Sequence, residues 1–395
     1  MQSESSLHGR LSYDKTETEM TTSRKTKAPR LTHIRYAVVG LGHIAQVAVL
    51  PALAHAASNS QLTALVSGDP KKLKDLSRRY HVPYTYSYEQ YDKCLREGHI
   101  DAVYIALPNN MHCDYATRAA KAGIHVLCEK PMAVNEQECR QMIRAAEQAG
   151  TRLMIAYRLH LEETNVNAVE IARSGQLGKL RIFTSLFALQ VRDRDIRIRR
   201  KMGGGSLYDI GVYCINAARC LFQDNPIEVS AFSVKGTDRR FSEVDEMSGA
   251  LLRFPGERLA SFISSFGAAD RSSYELIGTK GRLRVDPAFD YVGPHTYHLT
   301  LNGKTRTRRF SPGDQFAAEL IYFSDCILHK KNPEPSGLEG LIDVQIVRAL
   351  YRSAALRRPV KLAPEAKVRW PTKEQVIRRP PVRKPMLVHT QSSSL

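Results

Sequence analysis

Two patterns of apolar residues alternate along the first 157 positions of the chain. Short continuous apolar runs, typical of buried parallel strands, stand at 34–39, 62–66, 84–86, 102–107, up to Leu127, and 153–156. Apolar stripes at helical spacing lie between them, at about 43–57, 71–79, 88–96, 113–122 and 135–149. Strands and helices in regular alternation predict an α/β architecture with a doubly wound parallel sheet.

The pattern changes after a predicted helix at about 164–174. Apolar and polar residues then alternate with a period of two, at 180–191, 227–235, 247–254, 258–266, 273–277 and 281–285. This period is typical of strands with one buried face. The second half is therefore predicted to be α+β, with a mostly antiparallel open sheet and helices.

Gly40, Gly42 and Ala45 form a G-x-G-x-x-A motif directly between the first strand and the first helix. Gly40 permits a tight turn, Gly42 lets the backbone approach a pyrophosphate, and Ala45 lets the helix pack closely on the strand. The N-terminus of this helix, with His43 and Ile44, would face the phosphates with unpaired N–H groups. We therefore predict a Rossmann domain at residues 31–157 that binds NAD(P) through Gly40, Gly42, His43 and Ile44.

The end of the second strand bears on which dinucleotide binds. NAD-specific sites usually have Asp or Glu there, which binds the ribose 2′-hydroxyl. This chain has Ser67 and Gly68, followed by Asp69, Pro70 and lysines that include Lys72. A small hydroxyl with nearby lysines suits a 2′-phosphate, and Asp69 has the position of a helix cap ahead of Pro70. We predict NADP, with NAD as the less favoured alternative.

Polar loops follow the next two strands at the same edge of the sheet, where ligands of such folds bind. The loop at 108–112 would cover the nicotinamide half of the dinucleotide. Lys130 follows the strand that ends near Leu127, so it arrives at the mouth of the cleft, and a cis Pro131 would be one way to form its turn. The candidates for cofactor contact here are Leu107, Pro108, Asn109, His112, Glu129 and Lys130.

A glycine triplet at 203–205 precedes a predicted helix that starts near Leu207. Asp209, Tyr213 and Asn216 fall at helical spacings of four and three, on one face of that helix. A glycine triplet lets the backbone approach another part of the molecule closely. A single helical Tyr more often serves packing, but an Asp one turn earlier, beside the glycines, favours a site that contains Asp209 and Tyr213.

The net charge of +18 is concentrated towards the termini. Residues 1–35 carry seven Lys/Arg against four Asp/Glu, and residues 357–395 carry ten against two. No aromatic residues interleave with the basic cluster at 378–385, so nucleic acid is not the favoured partner. We expect a flexible arm at 1–30, a second domain at 158–361 and a basic, Pro-rich tail at 362–395 that is either solvated or lies against a subunit.

The spacing of cysteines and histidines indicates in which cellular compartment the protein resides and whether it binds a metal ion. Seven scattered cysteines without a Cys-x-x-Cys pair predict reduced thiols in a cytoplasm, and no histidine pair has the spacing of a metal site. No apolar run is long enough to span a bilayer, and residues 1–30 lack the apolar segment of a secretory signal. A cytoplasmic protein without a metal is therefore expected.

Three ordered motifs resemble the Gfo/Idh/MocA oxidoreductases: G-L-G at 40–42, E-K-P at 129–131 and G-G-G-S-L-Y-D-I-G at 203–211. Supporting segments lie at 101–109, 153–158 and 226–229, and the resemblance covers roughly residues 31–361. Within the family the chain is most similar to the glucose–fructose oxidoreductase branch, which shares Tyr213 where most members have His. Its segment 159–165 differs from that branch, which leaves the sugar open.

The resemblance implies NADP as cofactor, a sugar as substrate and a homo-oligomer formed through the C-terminal sheet. The domain at 158–361 would then serve both substrate binding and oligomer formation. The residues that the resemblance places around the 2′-phosphate are Ser67, Lys72 and Tyr86, those that it places in the site are Lys130, Asp209 and Tyr213, and Arg158 is a further cofactor candidate.

These residue types suit hydride transfer between a nicotinamide and a sugar carbon. Tyr213 would take the hydroxyl proton with help from the Lys130 ammonium, while Asp209 would orient the pair or bind sugar hydroxyls. Lys130 itself as the proton carrier is the alternative assignment. A non-enzymatic dinucleotide-binding sensor or transcriptional regulator of the same fold is the alternative function, and the basic tails suit it.

The arginine-rich run at 192–201 also has two interpretations. Its guanidinium forks suit an anionic substrate such as a sugar phosphate or a sugar acid. The favoured interpretation is a solvated loop whose charges are partly paired with one another.

Overall fold

The computed structural model describes residues 32–363 and 369–392. The predicted flexible arm at 1–30 lies outside the described residues, and so do positions 364–368 and 393–395 of the predicted tail. In the two described ranges, no helix has the length and apolar character needed to cross a bilayer.

The first sheet has six strands, and all of its strand pairs are parallel. The strands are β1 (Ile34–Val39), β2 (Ser60–Val66), β3 (Tyr84–Tyr86), β4 (Ala102–Ile105), β5 (His125–Cys128) and β6 (Leu153–Ile155). Their order across the sheet is β3-β2-β1-β4-β5-β6, so the chain winds outwards from β1 in both directions. Helices cover both faces, which explains the continuous apolar runs. The predicted doubly wound sheet is confirmed.

The helices between these strands are α1 (Leu50–His55), α2 (Pro70–Tyr80), α3 (Tyr91–Arg96), α4 (His112–Lys121) and α5 (Glu136–Ala149). A π-helical turn at Ala45–Val49 precedes α1, where the sequence pattern predicted one regular helix. Asp69 caps α2 by accepting hydrogen bonds from two backbone N–H groups in its first turn. This cap agrees with the interpretation of Asp69 and Pro70 as a helix start.

The second sheet has nine strands in the order β14-β13-β12-β11-β7-β10-β9-β8-β15. They are β7 (Leu180–Ala188), β8 (Glu228–Val234), β9 (Met247–Phe254), β10 (Arg258–Ser265), β11 (Arg271–Gly278), β12 (Gly281–Val285), β13 (His295–Leu301), β14 (Lys304–Phe310) and β15 (Val360–Lys361). β7 and β10 run parallel and the other pairs are antiparallel, which confirms the predicted type of sheet. β13 and β14 were not predicted. All residues of β14 except Phe310 are exposed, so no buried face marks it.

Four more helices complete the described fold: α6 (Glu163–Arg173), α7 (Val212–Phe222), α8 (Gln315–Leu328) and α9 (Gly337–Leu356). α8 and α9 were not predicted. α8 packs against the first sheet beside α1 and is buried on most sides, so its sequence has no polar face to reveal it. α9 contributes to the cores of both sheets, with Leu341 and Val344 in one and Ile342 and Ile346 in the other.

Residues 369–392 lie along the folded chain and are not a solvated extension. Trp370 and Val388 are buried, and Val388 packs in the core beside α1 and α8. Gln375 donates hydrogen bonds to Glu334, and Arg378 forms an ion pair with Glu163. A fully solvated tail is therefore ruled out for this part of the chain, because several of its apolar residues are buried, and the alternative of a tail that lies against a subunit is favoured.

Candidate active site

A cavity of about 690 Å³ lies at the carboxyl ends of β1, β4 and β5, between this edge of the first sheet and residues of the second half. Loops after β7 and β12 and the π-helical turn Leu207–Gly211 before α7 form its other walls. The predicted residues that line it are Gly42, His43, Ile44, Leu107, Asn109, Glu129, Lys130, Arg158, Asp209 and Tyr213. The structure thus brings residues from three separate motifs to one cavity.

The turn formed by the G-x-G-x-x-A motif at residues 40–45, called the fingerprint turn, has the shape that a dinucleotide phosphate requires. Gly40 has φ of +93°, and a Cβ there would lie 2.5 Å from the Ala106 carbonyl oxygen, so only glycine fits. A Cβ on Gly42 would meet nothing within 4 Å, so the space beside this turn is open. Gly42, His43 and Ile44 line that space, and the helix N-terminus offers N–H groups to an anion. These residues fit a bound pyrophosphate.

Asp209 holds the Lys130 side chain in place. The Lys130 Nζ atom donates to the Asp209 carbonyl oxygen at 2.8 Å and lies 3.1 Å from its Oδ1 atom. The other carboxylate oxygen, Oδ2, accepts from Arg197 Nε at 2.6 Å. Both oxygens of Asp209 are therefore engaged by cations, which favours orientation of Lys130 over direct binding of substrate hydroxyls. The peptide bond between Lys130 and Pro131 is cis.

Two cations flank the ring of Tyr213. The Lys130 Nζ atom lies 4.8 Å from the ring centroid, and the Arg158 Cζ atom lies 5.0 Å from it. Arg158 is itself fixed by hydrogen bonds to the Phe289 carbonyl and the Gln315 side chain. Both cations therefore contact the ring of Tyr213, at distances typical of cation–π interactions.

Charge pairing decides the protonation state of Lys130. Burial alone would lower the pKa of Lys130, but the carboxylate of Asp209, with Tyr213 and Glu129, outweighs burial and raises it. Burial likewise would raise the pKa of Asp209, but Arg197 and then Lys130 hold it well below its ordinary value. Lys130 is therefore an ammonium and Asp209 a carboxylate at neutral pH. This disfavours the assignment of Lys130 as the proton acceptor.

Glu129 supports this arrangement from below. Its Oε1 atom accepts from the Tyr104 hydroxyl at 2.9 Å. Burial raises the pKa of Glu129, although Lys130 and the Tyr104 hydrogen bond oppose that effect. Tyr104 is fully buried in the sheet, so Glu129 connects the buried strand to the cavity that it lines.

The end of β2 is arranged without a free carboxylate. Ser67 is buried there, and Lys72 lies partly buried in the first turn of α2. Asp69 Oδ1 accepts from two backbone N–H groups and its Oδ2 lies 3.1 Å from His389 Nδ1. The Lys72 N–H in particular lowers the pKa of Asp69, with a contribution from His389. Both oxygens thus have partners, which disfavours a ribose 2′-hydroxyl on Asp69.

The position of Tyr86 does not fit the role that the resemblance implies. Its side chain is buried and its hydroxyl donates to Glu97. Tyr88, two residues later, lies closer to the end of β2, because its ring carbons come within 3.1 Å of where a Cβ on Gly68 would stand. Tyr88 is therefore the better candidate near the 2′ position. Tyr88 lies two residues beyond the end of β3, so the strand pattern does not predict where its ring points.

The loop after β4 contributes one residue that lines the cavity and one buried residue that connects two loops. Asn109 Nδ2 donates to the Gly203 carbonyl at 2.8 Å, and the Asn109 side chain lines the cavity. His112 is fully buried, with its two ring nitrogens 2.9 Å from the carbonyl oxygens of Leu107 and Pro131. His112 therefore connects two loops and does not reach the cavity. Pro108 lies between cavity residues without lining the cavity itself.

The glycine triplet allows this close approach of the two halves. A Cβ on Gly203 would lie 2.8 Å from the Asn109 Cβ atom, and one on Gly204 would lie 2.2 Å from the Arg197 carbonyl oxygen. Both positions therefore need glycine. The triplet brings the start of the helix that carries Asp209 against the first sheet.

The arginine-rich run is largely paired internally or with nearby carboxylates. Arg197 binds Asp195 and Asp209, and Arg199 binds Glu243. This agrees with the interpretation of a paired loop. Arg197 is nevertheless a site residue that the sequence pattern does not single out, because the run contains five arginines and nothing in the spacing distinguishes this one.

Among the described residues, His160, Cys220 and Glu339 come close enough together to consider a metal. Their ligand atoms already have protein partners, since His160 binds Glu334 and Asn216 while Glu339 pairs with Arg219. We therefore interpret this buried network as a hydrogen-bonded part of the protein core that includes residues of α7.

The chain matches two family models. Residues 34–157 match the Gfo/Idh/MocA oxidoreductase family, NAD-binding Rossmann fold, and residues 166–284 match a Gfo/Idh/MocA C-terminal domain. Together they cover more than half of the chain.

Three similar proteins have described activities. The crystal structure of an aldose–aldose oxidoreductase from Caulobacter crescentus, complexed with glycerol, has 38% identity and a TM-score of 0.80, covering 84% of this chain and 100% of that one. D-xylose 1-dehydrogenase [NADP(+)] of Haloarcula marismortui is 30% identical over 83% of this chain and 93% of its own length. A 3-ketoreductase from Actinomadura kijaniata, in complex with NADP and TDP-benzene, has 27% identity and a TM-score of 0.74, covering 81% and 98%.

These matches agree with the motifs, the two sheets and the cavity between them. The family predicted from the motifs is confirmed, and oxidoreductase membership favours an enzyme over a non-enzymatic sensor. The chain belongs to the Gfo/Idh/MocA family of oxidoreductases.

Proposed function

We propose that the protein is an NADP-dependent oxidoreductase that transfers a hydride between the nicotinamide and an aldose. The observation that carries this proposal is the cluster of Lys130, Asp209 and Tyr213 beside the fingerprint turn in one cavity. Two relatives support the substrate class, since their names describe an aldose–aldose oxidoreductase and a D-xylose 1-dehydrogenase.

NADP is the proposed cofactor because the end of β2 offers a hydroxyl and a lysine without a free carboxylate. Ser67 and Lys72 would hold the 2′-phosphate, and Tyr88 would pack beside it. Asp69 is occupied by the α2 cap and by His389. The xylose dehydrogenase and the 3-ketoreductase are both described with NADP, which agrees with this assignment.

Tyr213 is the proposed proton carrier. The ammonium of Lys130 and the guanidinium of Arg158 stabilise its phenolate, which takes the proton from the sugar hydroxyl during oxidation. In the reverse direction the phenol returns that proton to the alkoxide formed from a carbonyl. The bound nicotinamide supplies the hydride acceptor, which no side chain of the chain provides.

Lys130 acts as a fixed positive charge at the reacting oxygen. Asp209 and the backbone carbonyl of the same residue set the direction of its ammonium, so little reorganisation is needed when charge develops. Arg197 shares the charge of Asp209 and leaves Lys130 free to face the oxygen. Asp209 and Arg197 are therefore positioning residues, while Lys130 and Tyr213 touch the reacting group.

The cavity favours a neutral sugar over a phosphorylated or acidic one. Arg197 is paired with Asp209 and Asp195, and Arg271 with Asp286. Asp270 and Asp290 also line the cavity, and burial raises the pKa of Asp290. Carboxyl groups at this wall suit sugar hydroxyls and oppose an anionic substituent.

We expect NADPH to bind at least about tenfold more tightly than NADH, and uncharged aldoses to be turned over faster than aldose phosphates. The first ratio follows from fluorescence titration, and the second from the rate at which the band of reduced nicotinamide appears. A preference for NADH would contradict the cofactor assignment. A preference for aldose phosphates would contradict the neutral-sugar assignment. If none of the sugars tested were turned over, the proposed function would be contradicted.

The exposed face of the second sheet is the proposed interface with a second copy of this chain. Its outward residues on β7, β8, β9 and β10 form one apolar patch: Ile182, Phe232, Val234, Met247, Leu251, Leu259 and Ile263. Neighbouring strands carry Glu228 opposite Arg253, so the patch offers both charges and can pair with itself around a two-fold axis. An apolar face of this extent is typical of an interface.

Leu251→Glu is therefore expected to convert an oligomer into a smaller species in analytical ultracentrifugation, because the charge would be buried without a partner. Leu356→Glu is the matched control, since Leu251 and Leu356 are both 46% exposed but Leu356 lies outside the patch. A wild-type protein that sediments as a monomer would contradict the interface.

We also propose a reducing compartment such as the cytoplasm, because all seven cysteines are free and buried.

A further inference from the structure

Residues 384–391 cross the helix that begins at the fingerprint turn. The Val388 N–H donates to Gln46 Oε1 at 2.8 Å, and Gln46 Nε2 donates to the Val388 carbonyl at 2.9 Å. The same Nε2 atom donates to the carbonyl of Leu41, which lies between the two fingerprint glycines. Gln46 is almost fully buried, so it ties this segment to the turn that receives the phosphates.

The next residue reaches the end of β2. His389 Nδ1 lies 3.1 Å from Asp69 Oδ2, at the side of the cavity region where the adenosine half would bind. The Met386 carbonyl accepts from Arg79 of α2 at 2.6 Å and fixes the approach of the segment. His389 adopts a left-handed conformation with φ of +46°.

The segment then reaches the second half of the molecule. Arg192 Nη1 lies 3.4 Å from Gln391 Oε1. Arg192 belongs to the loop after β7, and Leu189, Ile196 and Arg197 of that loop line the cavity. The last described residues therefore connect the adenosine end of the cleft with the wall on the nicotinamide side.

We propose that residues 384–391 form a C-terminal strap that closes the outer side of the dinucleotide site and slows release of the cofactor. This inference rests on the proposed NADP function. The strap contacts three elements that frame the cofactor: the fingerprint helix through Gln46, the end of β2 through Asp69, and the loop after β7 through Arg192. A dinucleotide leaving outwards must first break these contacts.

The strap also has an anchor that survives its removal. Arg379 donates to the His55 carbonyl and its own carbonyl accepts from the Asp314 N–H. Trp370 and Gln375 are buried further upstream. A chain that ends at Lys384 therefore keeps the anchor and loses the contacts over the cleft together with the packing of Val388.

The test compares NADPH release from the full chain, from a chain ending at Lys384 and from His389→Ala. Release is followed by stopped-flow fluorescence after a chase with excess NADP, and folding is checked by thermal unfolding. We expect release about tenfold faster from the truncated chain and a smaller increase for His389→Ala. His298→Ala is the matched control, because His298 is a partly buried residue of β13, bonded to Thr307 away from the strap.

Each outcome separates the strap from the cofactor assignment. Full-chain protein that does not bind NADPH would overturn the proposed function. NADPH that binds but leaves all variants at the same rate would overturn the strap alone. Slower release or tighter binding after truncation would mean that the segment competes with the cofactor. That result would also overturn the proposed strap. Hydrogen exchange gives an independent readout: NADP should increase protection of residues 385–391 in the full chain.

Discussion

Replacing Tyr213 by Phe is expected to lower kcat by about three orders of magnitude while NADPH binding stays unchanged. The change removes the hydroxyl that carries the proton and keeps the ring that packs against Phe187 and Phe289. The fold and the cofactor site should therefore be preserved. Steady-state turnover of the best aldose, together with fluorescence titration of NADPH, measures both effects.

Tyr291→Phe provides the matched control for this variant. Tyr291 also lines the cavity and lies beneath Arg158, whose Cζ atom is 5.7 Å from its ring centroid. The ring of Tyr213, by contrast, also has Lys130 at 4.8 Å. Loss of turnover in both variants would point to a general effect on the cavity. Near-normal turnover in Tyr213→Phe would remove this residue from the mechanism.

Lys130→Met is expected to lower kcat by about two to three orders of magnitude, again with NADPH still bound. Methionine fills a similar volume but removes the charge that stabilises the phenolate and the developing alkoxide. Asp209 keeps its contact with Arg197, so no carboxylate is left without a cation. The measurement is the same pair of turnover and titration experiments.

Lys130→Arg separates the two roles considered for this residue. A fixed charge should be partly restored by the guanidinium, whereas a proton carrier should not, because arginine does not lose its proton in this range. Lys93→Met, at an exposed residue of α3, serves as the control. Equal activity in Lys130→Met and wild type would refute the role of the ammonium.

Much of the fold could be predicted because its signals are local. Continuous apolar runs marked β1, β4 and β5, and the glycines at 40 and 42 marked the turn between β1 and the helix that follows. Period-two alternation marked the central strands of the second sheet. The family resemblance carried by three ordered motifs implied that Lys130 and Tyr213 share one site, although 83 positions of sequence separate them.

The remaining site features depend on tertiary contacts that leave no local pattern. Arg197 becomes important only because the glycine triplet carries its loop against the helix of Asp209. His112 has the polarity of a ligand but is buried by two carbonyl partners. Tyr86 ends β3 and Tyr88 lies beyond it, so only packing decides which of the two lies near Gly68.

The solvated alternative for the C-terminal segment was wrong for a different reason. Its proline and arginine content is typical of a solvated tail. In the structure the proline-rich chain is extended and needs few internal hydrogen bonds, so single residues such as Trp370 and Val388 suffice to hold it on the surface of the fold. Composition describes its average character and does not reveal these anchoring points.

The most direct measurement is single-turnover hydride transfer in protein loaded with NADP and mixed with an aldose deuterated at carbon 1. We expect stoichiometric appearance of reduced nicotinamide, slowed by deuterium and slowed by about three orders of magnitude in Tyr213→Phe. If cofactor remains bound and no aldose produces reduced nicotinamide, the convergence of Lys130 and Tyr213 on the reacting sugar is contradicted.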